Sequence, residues 1–107
     1  MKYVYISGPV TGRPYEEARA EFDAAAEAIR KKHGCEVVVV NPMDFCQQGE
    51  EWGLAMRKCL NKLLQCDYIH MLPGWEHSKG AKLELQVAAG LGFGVCNEEQ
   101  ELVDYEA

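Results

Sequence analysis

The chain alternates between two hydrophobic periods. Lys2–Ser7 (KYVYIS) is rich in aromatic and β-branched residues and stops at Gly8-Pro9, which predicts a strand followed by a turn. From Tyr15 to His33, Ala18, Phe22, Ala25, Ala26 and Ile29 recur at spacings of three and four, so a helix with one apolar face is predicted. Pro14 suits its first turn and Gly34 its end. Val37–Val40 is wholly apolar and β-branched, which suits a strand covered on both faces, and Asn41-Pro42 breaks it. A loop through Gln47, Gln48 and Gly49 leads to a second helix from about Trp52 to Gln65, with Leu54, Met56, Leu60, Leu63 and Leu64 as its apolar side. Tyr68–Leu72 is a third strand, stopped by Pro73-Gly74. Ser78 can cap a third helix running to about Leu91, with Leu83, Val87, Ala88 and Leu91 on one face. Phe93–Cys96 is a short fourth strand, and Gly90-Leu91-Gly92-Phe93-Gly94 reads as the turn before it.

The order β-α-β-α-β-α-β with short loops predicts a parallel sheet with right-handed crossovers and helices on both faces. The expected fold is a small flavodoxin-like or Rossmann-like α/β three-layer sandwich with about four or five strands. Residues 1–96 form the domain in this reading, and 97–107 an acidic C-terminal tail. So small a core leaves apolar surface open, so a homo-oligomer, a dimer or larger, is expected.

Composition narrows the class. Of 107 residues, 48% are apolar and 26% charged, which excludes a disordered chain. No apolar run approaches the ~20 residues that span a bilayer, and the N-terminal apolar stretch is too short for a signal peptide. A cytoplasmic protein with no membrane partner is expected. The net charge of −6 is concentrated in Glu98, Glu99, Glu101, Asp104 and Glu106; without them, 12 acidic face 11 basic residues. A nearly neutral domain offers no basic surface to a nucleic-acid polymer. The five cysteines form no CxxC pair and the three histidines have no partner at ligand spacing, so reduced thiols, no structural metal and no cofactor are expected.

Ligands of an open parallel sheet bind beyond the C-terminal ends of its strands. Three segments fall there: Ser7-Gly8-Pro9-Val10-Thr11-Gly12-Arg13, Asn41-Pro42-Met43-Asp44, and Pro73 through Glu84. The first has two glycines, a hydroxyl and an arginine before a helix, a composition that suits an anion, although an ordinary βα turn fits it equally. It is neither GxxxxGK[ST] nor GxGxxG. In the third, Ser78, Lys79, Gly80 and Ala81 present a hydroxyl, a cation and free N–H groups at a helix start, and Gly80 and Ala81 are small enough for a ligand to approach closely. Glu84 stands six residues past Ser78, ~9 Å along the axis. On pattern alone it reads as a solvated helix residue, and His77 as an exposed loop residue. Trp75 could stack on a base or simply cover the sheet edge.

Taken together, Tyr5-Ile6-Ser7-Gly8-Pro9-Val10-Thr11-Gly12, Val40-Asn41-Pro42, and Cys66 through Trp75 followed by Ser78-Lys79-Gly80-Ala81 and Glu84 resemble the nucleoside 2-deoxyribosyltransferase superfamily. That superfamily includes the deoxynucleoside monophosphate N-glycosidases, and the likeness is nearest to its small, largely uncharacterised phage and bacterial branch. The resemblance spans roughly residues 3–92. It implies that Glu84 is a nucleophile attacking the anomeric carbon of a (deoxy)ribonucleotide. It places Ser7, Gly8, Thr11, Gly12, Arg13, Asn41, Pro42, Trp75, Ser78, Gly80 and Ala81 around a nucleotide or nucleoside. Ser78 falls where nucleotide-hydrolysing members hold the 5′-phosphate, which implies a nucleoside monophosphate. Active members carry an aspartate eight residues before the position of Asp67; here it is Cys59, so Cys59 and Asp67 are accessory candidates. Two rival readings stay open: a module that binds or senses a nucleotide without turnover, and an unrelated flavodoxin-like interaction domain.

Overall fold

The computed structural model describes residues 1–97; Glu98 to Ala107, and with them the predicted acidic tail, lie outside the described residues. Strands β1 (Lys2–Ser7), β2 (Val37–Val40), β3 (Tyr68–Met71) and β4 (Gly94–Asn97) alternate with helices α1 (Tyr15–His33), α2 (Trp52–Leu63) and α3 (Lys79–Gly90). All strand pairs are parallel, in the order β2-β1-β3-β4. From β1 the chain first moves outward to β2, then crosses back to β3 on the other side. The switch point of this doubly wound sheet therefore lies between the C-terminal ends of β1 and β3, where Ser7 pairs with Met71.

β1 is central, and Val4, Tyr5, Ile6 and Ser7 are all fully buried. Strand alternation sends them to opposite layers. Val4 and Ile6 pack with Ala18, Phe22, Ala26 and Ile29 of α1. Tyr5 faces the other layer, with Cys59 and Leu63 of α2 and Ala81 and Ala88 of α3. Ser7 points to that same side, toward α3. Gly8 follows at a close approach: a Cβ there would lie 2.8 Å from the Leu72 Cβ, so the chain leaves β1 flush against the end of β3. Gly74 takes φ +87°, the left-handed conformation its turn requires.

The structure corrects the sequence pattern in the second layer. α2 ends at Leu63, where a turn closes with the Cys66 N–H on the Leu63 carbonyl, so Leu64 and Gln65 are outside it. Its buried stripe is Met56, Cys59 and Leu63, whereas Leu54 and Leu64 face outward. In α3 the buried stripe is Ala81, Glu84 and Ala88, and Leu91 is exposed beyond the helix end. Two alanines bring this helix close to the sheet and carry Glu84 inward with them. β4 begins at Gly94 and takes in Asn97, so the sheet extends one residue past the expected boundary of the domain.

Candidate active site

A cavity of about 610 Å³ opens at the switch point. Its wall is formed by the β1–α1 loop (Gly8, Val10 to Pro14), the segment after β2 (Pro42, Met43, Cys46 to Glu50), α2 (Trp52, Ala55, Met56, Cys59) and the start of α3 (Ser78, Gly80, Ala81, Glu84). Three loops far apart in sequence thus meet because parallel strands end on one edge.

Glu84 sits at the floor with 5% of its surface exposed. Both carboxylate oxygens are held from β1: the Tyr5 hydroxyl donates to Oε2 and the Ser7 hydroxyl to Oε1, each at 2.6 Å. Tyr5 and Ser7 are two residues apart on one strand, so the pleat aims both at the same point. Cys59 lines the same cavity as Tyr5 and Glu84 and packs in the Tyr5 layer. Burial raises the Glu84 pKa above the usual carboxylate value, opposed by the donors Ser7, Tyr5 and Cys59. Burial, followed by the Glu84 charge, pushes the Tyr5 phenol well above its ordinary value, so Tyr5 remains a donor. A carboxylate with two fixed donors still has lone pairs free toward the cavity. The arrangement can therefore present an aimed anionic oxygen to an electrophile.

Cys59 is 7% exposed, and burial holds its thiol far above the ordinary range. Its sulfur lies 3.5 Å from that of Cys46, which belongs to the cavity wall and is half-buried. Both are free thiols. Lys58 bonds Glu50 at 2.5 Å, and its charge lowers the Cys46 pKa, although burial leaves that thiol raised overall.

At the start of α3, Ser78 is the N-cap and its hydroxyl oxygen accepts the Ala81 N–H at 3.2 Å. The N–H groups of Lys79 and Gly80 belong to the same unpaired first turn. Gly80 matters for packing as well: a Cβ there would come 3.1 Å from Met56 Sδ, so its small size lets α2 and α3 approach.

Other expected site residues are placed differently. Arg13 reaches the cavity wall, but its Nη1 is engaged by Glu21 at 2.7 Å and by the Pro9 carbonyl at 2.9 Å, and Glu17 lies 3.5 Å from Nη2. Those contacts fasten the β1–α1 loop to α1. Thr11 and Gly12 line the wall and are exposed. Asn41 is buried outside the cavity, accepting the Met43 N–H at 3.0 Å and donating to Asp23 at 2.8 Å, so it shapes the turn that presents Pro42. Trp75 packs, partly buried, against the Tyr5 layer and borders a separate shallow cleft with Trp52 and Lys79. Asp67 accepts the Tyr3 N–H at 3.0 Å at the opposite, N-terminal end of β3, remote from the switch point. His77 is exposed, as its loop position predicts. Tyr5 is the residue that pattern reasoning missed as a site member; its signal was its place two residues before Ser7 on a doubly covered strand.

Fold and site define a minimal doubly wound α/β domain with a hydrogen-bonded carboxylate buried at the switch point. Within that class the chain belongs to the family described as "Domain of unknown function (DUF4406)", whose model matches residues 2–97. Among solved structures it is similar to a 2-desoxiribosyltransferase from Leishmania mexicana, with 25% sequence identity and a TM-score of 0.67. The match covers 91% of this chain and 63% of that one, so this chain spans less than two thirds of its neighbour's length. No curated protein matches the sequence.

Proposed function

We propose that the protein cleaves the N-glycosidic bond of a (deoxy)nucleoside 5′-monophosphate, with Glu84 as the nucleophile, as an N-glycosidase-like relative of the nucleoside 2-deoxyribosyltransferases. The observation that carries this reading is Glu84 itself: a buried carboxylate, each oxygen held by a hydroxyl from β1, at the floor of a nucleotide-sized cavity. Burial of a carboxylate is unfavourable unless it is hydrogen-bonded, and β1 commits two hydroxyls to keeping this one at the cavity floor. The likeness to the Leishmania mexicana 2-desoxiribosyltransferase supports the substrate class.

In the proposed reaction a Glu84 oxygen forms a bond to C1′ as the C1′–N bond breaks and its electron pair leaves with the base. Positive charge develops on the sugar, and the ionised carboxylate beneath stabilises it. Water then attacks C1′, frees Glu84 and supplies the proton that the departing base requires. The sum is nucleotide plus water giving free base and sugar 5-phosphate, with C1′ inverted in the covalent intermediate and its configuration retained overall. The phosphate is assigned to Ser78 and the first-turn N–H groups of Lys79 and Gly80, which favour an anion. Arg13 contributes by holding the first loop against α1. A second base in place of water gives transfer instead of hydrolysis.

A second reading is favoured by Cys59. The thiol stands where active members of the resembling superfamily carry a carboxylate, and its raised pKa makes it a poor proton donor to a leaving base. In that reading the cavity binds a nucleotide without turnover. Incubation with a panel of nucleosides and their 5′-monophosphates, followed by chromatography, separates the two. Release of free base, faster from monophosphates than from nucleosides, is expected. Saturable binding with no base released from any member supports the binding module instead.

A further inference from the structure

The proposed glycosidic mechanism leaves one reactive grouping unexplained. Cys46 and Cys59 come from different elements, one from the irregular segment between β2 and α2, the other from the middle of α2, yet their sulfurs are in van der Waals contact at 3.5 Å. Both line the cavity. Cys46 is the accessible member: it is half-buried, with Lys58 nearby and Glu50 bonded to that lysine. Cys59 is buried behind it, on the same cavity wall as Tyr5 and Glu84. An accessible thiol backed by a buried one is the arrangement in which the first is oxidised and the second resolves it.

We propose that Cys46 and Cys59 are a redox-responsive pair that a peroxide closes into a disulfide in the cavity wall, and that closure slows the site by withdrawing the Cys59 thiol from Glu84. The sulfur–sulfur approach of ~1.5 Å that the bond requires falls mainly on Cys46, because its segment is not helical whereas Cys59 is fixed within α2. Burial keeps most of Cys46 protonated, so the first step runs through its minor thiolate form: that sulfur attacks one peroxide oxygen, the O–O bond breaks, and hydroxide leaves to take up the thiol proton as water. Cys46 is then a sulfenic acid. The Cys59 sulfur displaces its hydroxyl, which departs as a second water with the Cys59 proton. Two thiols lose two electrons and one hydrogen peroxide becomes two waters. Glu84 then has Tyr5 and Ser7 as donors and no third.

The effect on turnover rests on the N-glycosidase reading, whereas the bond itself does not, so the test reads them separately. The wild-type chain is treated with hydrogen peroxide and mapped by mass spectrometry without reduction. A Cys46–Cys59 crosslink, reversed by a thiol reductant, is expected. Recovery of both as free thiols under conditions that oxidise the exposed Cys35 overturns the proposal. Base release by the oxidised chain should fall about tenfold, the worth of one hydrogen bond to a charged group, and return on reduction. Cys46→Ser should lose this sensitivity when each sample is normalised to its own untreated rate. NMR of the Glu84 carboxyl carbon provides a readout independent of turnover. Its titration midpoint should rise on oxidation, and an unchanged midpoint, or an unchanged rate despite the crosslink, overturns the regulatory claim.

Discussion

Two hydroxyls at 2.6 Å and a nearby thiol oppose what burial alone would do to Glu84. Burial favours the neutral acid; the donors favour the anion. Net, the folded pKa is raised, so the ionised form is lost as pH falls through that raised value and is fully present above it. Tyr5→Phe removes one donor and shifts the balance further toward the acid. The acidic limb of the kcat/KM profile should therefore move to higher pH, with a rate at neutral pH lower by roughly 10- to 100-fold. A pH–rate series on both proteins checks this. A uniform loss with the limb unmoved would mean that the phenol acts through packing rather than through Glu84. Arg13 shows the opposite lesson at this scale: the sequence presents a cation beside a glycine loop, and only the folded chain reveals Glu21 and Glu17 beside it.

At the level of elements, legibility followed the physical strength of each signal. β1, α1 and β2 carry strong periodicities and clear stops, and the structure reproduces their bounds. α3 is the instructive case. Its leucines and valine suggested a buried face through Leu83 and Val87, yet the face on the sheet is Ala81, Glu84 and Ala88. Small residues win that position because they let the helix axis approach, and the carboxylate is tolerated because β1 supplies its partners. No local pattern reports this: the partners lie 77 and 79 residues away. The resemblance assigned Glu84 a role that periodicity alone would have denied it. Cys59 likewise counts as a small hydrophobe on α2, which a reading based on leucines overlooks.

Across the whole molecule, β2 and β4 are the edge strands of the four-stranded sheet among the described residues. Large apolar side chains remain open at several places: Leu54 and Leu64 beside α2, Leu91 after α3, and Val95 on β4. For a chain this short, association is the simplest way to cover them. A dimer or larger assembly is accordingly proposed. Light scattering at micromolar concentration should give at least twice the chain mass, and a particle of 12.0 kDa contradicts it. Among the described residues no helix is long and apolar enough to cross a membrane.

The central claim, that Glu84 is a nucleophile rather than a buried structural acid, is tested most directly by Glu84→Gln. The amide keeps the shape of the side chain but supplies no anionic oxygen. Base release from the best nucleoside 5′-monophosphate should fall by about 10³-fold or more, while calorimetric affinity for that ligand stays within a few-fold of the parent. Base release by Glu84→Gln at the parental rate would contradict the account.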